Sequence, residues 1–213
     1  MNAFTKDYYL NGPDSGLSNY RDYRWMPEQT IRFCERMMNY LGAKRGDSVY
    51  EVGCARGFYV KALRILGYNA CGHDISEWAI ENCDPAVTNW VSTSPRTGGF
   101  DWVLSKDCLE HVPHGQLADV VDGILSPMMK GGLIIVPLID AITGEYINPA
   151  DQMDSTHVIA WTLTMWLDYF QKAIDEGFHP FTVTGGYKLP GVKVAAEPFP
   201  HSTGFITLRR FDP

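Results

Sequence analysis

The sequence has no Cys-x-x-Cys pair, no excess of basic residues and no apolar run approaching the length of a membrane span. Its five cysteines, Cys34, Cys54, Cys71, Cys83 and Cys108, are odd in number and scattered. That pattern predicts reduced, mostly buried thiols of an intracellular protein, not a disulfide framework or a thiolate zinc site. Lys and Arg number 18 against 25 Asp and Glu, a formal net charge of −7. A nucleic-acid partner calls for a basic footprint, so that class is disfavoured. The first residues lack the apolar core of a signal peptide, and the chain is expected in the cytoplasm with no membrane partner. His73, His114, His179 and His201 show no metal-ligand spacing. His111 and His114 stand at i, i+3, but Pro113 interrupts them and no third ligand lies nearby in sequence, so no metal is expected.

What is present is organised around Val49-Tyr50-Glu51-Val52-Gly53-Cys54-Ala55-Arg56-Gly57-Phe58. An apolar, β-favouring segment turns through Gly53 and Gly57 into a helix-like run over 58–66, with Gly67 as its stop. Strand, glycine turn and helix form the first half of a nucleotide-binding βαβ unit, whose helix N-terminus offers backbone N–H groups to a ligand. Asp74 ends the next apolar segment at about the 20-residue offset where such folds place a carboxylate on a ribose. The glycine spacing is G-x-A-x-G, whereas a dinucleotide fingerprint needs G-x-G-x-x-G. Ala55 at the middle position requires φ < 0 or some tolerated strain.

With Glu51 two positions before Gly53, this pattern resembles the first motif of class I S-adenosylmethionine-dependent methyltransferases, E/D-x-G-x-G-x-G. A second, independent likeness is Phe100-Asp101-Trp102-Val103, which runs into Leu109-Glu110-His111-Val112-Pro113 and is similar to the fourth-strand motif of the family's small-molecule branch. Asp154-Ser155-Thr156-His157, with Trp161-Thr162, resembles the segment after strand five in that branch. The resemblance spans roughly residues 49–178. It implies an α/β, Rossmann-like, seven-stranded, mostly parallel sheet with helices on both faces and a closing C-terminal antiparallel hairpin. The Asn/Asp-Pro-Pro-Tyr tetrad of the family's amino-methylating nucleic-acid enzymes is missing, as is the Pro-Cys of its cytosine C5 enzymes.

Taken in order, residues 1–26 form an aromatic arm or lid, with Tyr8, Tyr9, Tyr20, Tyr23 and Trp25 in need of packing partners. Residues 27–41 are an amphipathic helix started by Pro27 and stopped by Gly42. Strands are expected over 47–53 and 68–74, a short helix over 76–82 capped by Ser76, and a third strand over 87–91. A buried strand over 100–105 precedes a helix over 114–129, and residues 133–137 read as a buried parallel strand. A long loop over 138–158 leads to a helix capped by Thr162 and ended by Gly177. Two strands, 180–184 and 203–211, flank a Pro/Gly-rich loop over 185–202. No repeat or linker interrupts the chain, so a single domain over 1–213 is expected, with 27–213 as its core.

Carried over position by position, the resemblance places Gly53, Cys54, Ala55 and Gly57 under the cofactor's amino-acid part. It places Asp74 on its ribose hydroxyls, Ile75 against its adenine and Asp107 beside its methionyl part. Glu51 either ties the loop or meets the ammonium through water. His111 and His157 are the candidate general bases, against a scaffolding role that weighs slightly more. The expected activity is methyl transfer to a small molecule, such as a sugar or metabolite oxygen. Two rivals remain at this point: a catalytically inactive S-adenosylmethionine-binding scaffold and an NAD-dependent oxidoreductase.

Overall fold

In the computed structural model, which describes residues 3–189 and 199–211, the backbone winds a seven-stranded sheet in the order β3-β2-β1-β4-β5-β7-β6. Its strands are β1 (Ser48–Val52), β2 (Asn69–His73), β3 (Val91–Ser92), β4 (Phe100–Lys106), β5 (Met128–Pro137), β6 (Phe181–Gly186) and β7 (Thr203–Arg210). The first five pair in parallel, and β7 inserts antiparallel between β5 and β6. The closing hairpin is thus present, but residues 190–198 of its expected loop lie outside the described residues. The helices are α1 (Lys6–Leu10), α2 (Gly12–Ser15), α3 (Pro27–Leu41), α4 (Phe58–Ile65), α5 (Glu77–Glu81), α6 (Leu117–Leu125), α7 (Pro149–Gln152) and α8 (Leu163–Glu176).

Each face of the sheet buries its own apolar layer. The stripe of α3, Cys34, Met38 and Leu41, packs with Val60 and Leu63 of α4 against Val49, Leu104 and Leu133. On the other face Leu117, Val121 and Ile124 of α6 and Trp166 and Phe170 of α8 cover Tyr50, Val103 and Ile134. Alternate residues of one strand serve opposite layers, which is why the central strands read as unbroken apolar runs. Among the described residues, no helix is long and apolar enough to cross a membrane.

Two expected elements differ. Residues 114–129 do not form one helix: a 3₁₀ turn, His114–Gln116, leads into α6, which stops at Leu125, and β5 starts at Met128. Pro127 has no N–H for a further helical turn, and its carbonyl accepts from the Phe100 N–H at 2.8 Å, which starts sheet pairing. Gly131 and Gly132 lie inside β5 because their neighbours come too close for a side chain. A Cβ there would meet Leu208 O at 2.4 Å and Val103 O at 2.5 Å. The third strand is the short β3 rather than 87–91. Asp84 and Pro85 open a 3₁₀ turn, Pro85–Val87, with the Ala86 N–H on Asp84 Oδ1 at 3.0 Å.

The N-terminal arm folds as α1 and α2 against the carboxyl ends of the strands. Tyr8 and Tyr9 are buried and pack with Phe4, Tyr20, Tyr23 and Trp78. The arm is pinned at both sides, by Ser76 Oγ donating to Phe4 O at 2.5 Å and by Tyr8 Oη donating to Asp154 Oδ2 at 3.1 Å.

Candidate active site

The turn after β1 holds its shape through three successive constraints. Gly53 has φ +80°, and a Cβ there would lie 2.5 Å from Cys108 Sγ, so both backbone and space demand glycine. Ala55 has φ +46°, the strained alternative of the two that the sequence left open, and its N–H donates to Asp74 Oδ2 at 2.8 Å. Gly57, at φ +74°, is the N-cap residue of α4. Asp107 at the end of β4 also takes a left-handed conformation, φ +48°. Two of the three non-glycine residues with positive φ among the described residues therefore flank one cleft, and such strain persists where the surroundings enforce it.

Asp74 is 9% exposed, and its other oxygen accepts the Ser76 N–H at 2.8 Å. Two backbone donors thus orient the carboxylate while leaving lone pairs toward the cleft. Burial raises its pKa, and those two donors oppose the rise. Glu51 is deeper, with Oε2 unpartnered. Burial pushes its carboxyl up to about 8, and the Asp74 charge adds to the shift. A cavity of about 380 Å³ runs past both acids, Gly53, Ala55, Ile75, Asp107, Cys108 and His111. Ile75 is 64% exposed on its rim. Cys54 and Gly57 do not line it; Cys54 is buried beneath, where a Cβ on Gly72 would meet it.

Tyr8, Tyr9, Tyr20 and Tyr23 form the arm's side of this cleft. Arg56 of the glycine turn ties the arm down: its Nη1 donates to Tyr23 O at 2.9 Å and its Nε to Asn82 O at 2.7 Å. Arg24 pairs with Asp22 at 2.7 Å while lining the same wall.

A second cavity, about 880 Å³, opens on the far side of Lys106 and Asp107, which border both spaces together with Met26 and Tyr59. It is walled by Ile135 and Pro137 of β5, Asn148 and Asp151 of the long loop, and Arg32 and Arg36 of α3. Burial raises the Asp151 pKa to about 6, with Asp107 contributing. Sequence reasoning did not single out Asp151, since an acid in a loop carries no periodic signal.

The two candidate histidines come together but do not occupy equivalent positions. Their ring centroids are 4.7 Å apart. His111 lines the smaller cleft, whereas His157 lies behind it, against Tyr146. His111 Nδ1 is 2.8 Å from Thr156 Oγ1, which itself donates to Asp154 Oδ1 at 2.5 Å. Burial lowers the His111 pKa to about 4 and also lowers that of His157, so both rings are neutral at pH 7.

A family model for a methyltransferase domain matches residues 24–174. The chain belongs to this methyltransferase family. Solved methyltransferases share its fold. An S-adenosylmethionine-dependent methyltransferase from Archaeoglobus fulgidus superposes with a TM-score of 0.63 at 17% identity, over 87% of this chain and 95% of that one. Magnesium protoporphyrin IX methyltransferase from Synechocystis PCC 6803, with S-adenosylmethionine bound, gives 0.58 at 14% identity over 86% and 81%. The small RNA methyltransferase HEN1 gives 0.62 at 15% identity, over 89% of this chain but only 26% of that one. Among curated proteins no significant match is found.

The methyltransferase uses S-adenosylmethionine, and its residues fit that cofactor: a glycine turn, an oriented acid at the end of β2 and an acid with one unpartnered oxygen at the end of β1 surround one cleft. The rival NAD reading falls with the family match and the glycine spacing.

Glu51 makes a measurable contribution to stability against pH. Its folded pKa of about 8 exceeds the ordinary carboxyl value of 4.5, so between those values the native state binds the extra proton. Stability from this group is full below pH 4.5 and is lost as pH rises through 8, at on the order of 1 kcal/mol per pH unit. Glu51→Gln is therefore expected to melt higher than the wild type at pH 8.5 but not at pH 5. Thermal melts across that range check it, and parallel curves would refute the assignment.

Proposed function

We propose that this methyltransferase transfers its methyl group to an oxygen of a small molecule that enters through the larger cavity. The observation carrying this reading is the meeting of the two cavities at Lys106 and Asp107, at the carboxyl end of β4, where open α/β sheets bind their ligands. Asp74 takes the ribose hydroxyls, the turn at Gly53, Cys54, Ala55 and Gly57 passes under the amino-acid part, Ile75 flanks the adenine, and Glu51 and Asp107 flank the methionyl part. S-adenosylmethionine supplies an electrophilic methyl on a sulfonium. The protein's task is then to hold an acceptor in line and to take its proton. Asp151, at about 6, is better matched to that proton near neutral pH than His111 at about 4. His111 is the second candidate base, on the wall of the smaller cleft, and His157 backs it in the cluster they form.

Several features favour a small acceptor over a nucleic acid. The net charge is −7, and Asp107-Cys108-Leu109-Glu110 stands where a nucleic-acid amino-methylating enzyme carries its tetrad. The arm, pinned over the cleft as part of the same domain, favours an enclosed ligand. Five free cysteines, three of them buried, suit a reducing compartment such as the cytoplasm. The test is labelled methyl transfer into a fractionated metabolite extract, with total RNA and DNA in parallel. Label in a small molecule is expected; label confined to nucleic acid, with affinity falling steeply with salt, would overturn the reading.

A further inference from the structure

We propose that Glu110, His111 and His157 form a binding site for a divalent transition-metal cation. The fold brings together three residues that the sequence spaces as an adjacent pair and a distant single. One ligand atom from each lies within 4.8 Å of the others. Glu110 Oε1 is 3.8 Å from His111 Nε2 and 4.0 Å from His157 Nε2. Ligand atoms around a first-row cation bonded at about 2.1 Å lie roughly 3–3.5 Å apart, so the two Glu110 edges close by about half an ångström and the imidazole pair, within 4.8 Å, by up to about 1.5 Å.

A second observation points to a cation independently of spacing. Glu110 is fully buried and neither carboxylate oxygen has a hydrogen-bond partner. A buried carboxyl without a donor is costly. A cation among these side chains removes that cost by supplying the missing charge.

The surroundings also present the imidazole correctly. Thr156 Oγ1 spends its proton on Asp154, so it accepts from His111 Nδ1–H. That fixes the tautomer with the lone pair on Nε2, facing Glu110. A hydroxyl and a carboxylate behind a histidine are the outer-shell support that metal-bound imidazoles have. The loop carrying His157 is tied to the same residue, because the Val158 and Ile159 N–H groups donate to Glu110 O at 2.8 and 3.0 Å.

Two imidazoles and one carboxylate suit Zn²⁺, Co²⁺, Fe²⁺ or Mn²⁺ better than Mg²⁺ or Ca²⁺, which prefer all-oxygen sets. Three protein ligands leave positions open, and His111 puts the cation beside the cleft. There it would hold an acceptor oxygen and lower its pKa, a role that rests on the methyl-transfer reading above.

The experiment strips the full chain with chelator and titrates it with Co²⁺ and Mn²⁺, with Mg²⁺ as the comparison. Cofactor binding is measured on the same sample. One equivalent of Co²⁺ should bind, with a visible spectrum of nitrogen and oxygen ligation lacking thiolate charge-transfer bands. Glu110→Gln, near-isosteric with the neutral acid, should fold and bind at least tenfold more weakly, and His157→Gln should do the same. No stoichiometric cation in a wild-type chain that binds S-adenosylmethionine would overturn the site and leave the enzyme reading intact. Equal cation affinity in folded Glu110→Gln would also overturn it. Failure to bind the cofactor at all would count against the enzyme reading instead.

Discussion

Replacing Asp74 by Ala is expected to weaken S-adenosylmethionine binding at least tenfold. The carboxylate stands at the end of β2, 9% exposed, with the Ala55 and Ser76 N–H groups each at 2.8 Å holding its two oxygens. Its remaining lone pairs face the cleft, where two ribose hydroxyls would each donate a charge-assisted bond of roughly 1.5–3 kcal/mol. Loss of one such bond already accounts for about a factor of ten. The Ala variant also releases the Ala55 N–H and loosens a strained turn, so part of its effect is loss of shape. Asp74→Asn separates the two contributions. It keeps one acceptor for the turn while losing the charge and one ribose acceptor, and its affinity should fall between the wild type and Ala. Titration calorimetry with the cofactor and its demethylated product measures both. Unchanged affinity in the Ala variant would remove Asp74 from the ribose.

The second large effect is expected in turnover, once an acceptor is in hand. Asp151→Asn should lower kcat by roughly 10²–10⁴-fold while cofactor affinity stays as in the wild type. The wild-type rate should rise with pH through about 6, where Asp151 loses its proton, and that limb should vanish in the variant. His111→Ala should lose a similar factor with cofactor still bound. If the cluster around Glu110 holds a cation, the His111 loss tracks cation loss, whereas the Asp151 loss persists at saturating cation. A deficit confined to KM would assign Asp151 to acceptor positioning. A wild-type pH profile without the limb would exclude Asp151 as the base.

Local chemistry made the glycine turn and the elements around it legible in the chain alone. The turn Gly53 to Gly57, the acid at Asp74, the caps at Ser76 and Thr162 and the stripe of α3 are short-range patterns, each dictated by dihedral limits, hydrogen-bond orphans or helical period. Their side chains fall where the pattern puts them. The same local reasoning overran at 114–129. Helical spacing there continued past the point where Pro127 removes a donor and a neighbouring strand offers pairing.

The proposed acceptor half belongs to tertiary structure. Asp151 has an ordinary carboxyl on a short loop helix until burial and the charge of Asp107 raise its pKa. Glu110, His111 and His157 become one cluster because the long loop after β5 folds back onto the Glu110 carbonyl, a contact between residues far apart in the chain. Sequence by itself determined the strand order's raw material, the glycine turn and the acid at the end of β2, since those are read from short local patterns. Only the packed fold decided which buried polar groups share a site, because desolvation and charge coupling depend on distance in space and leave no period in the chain.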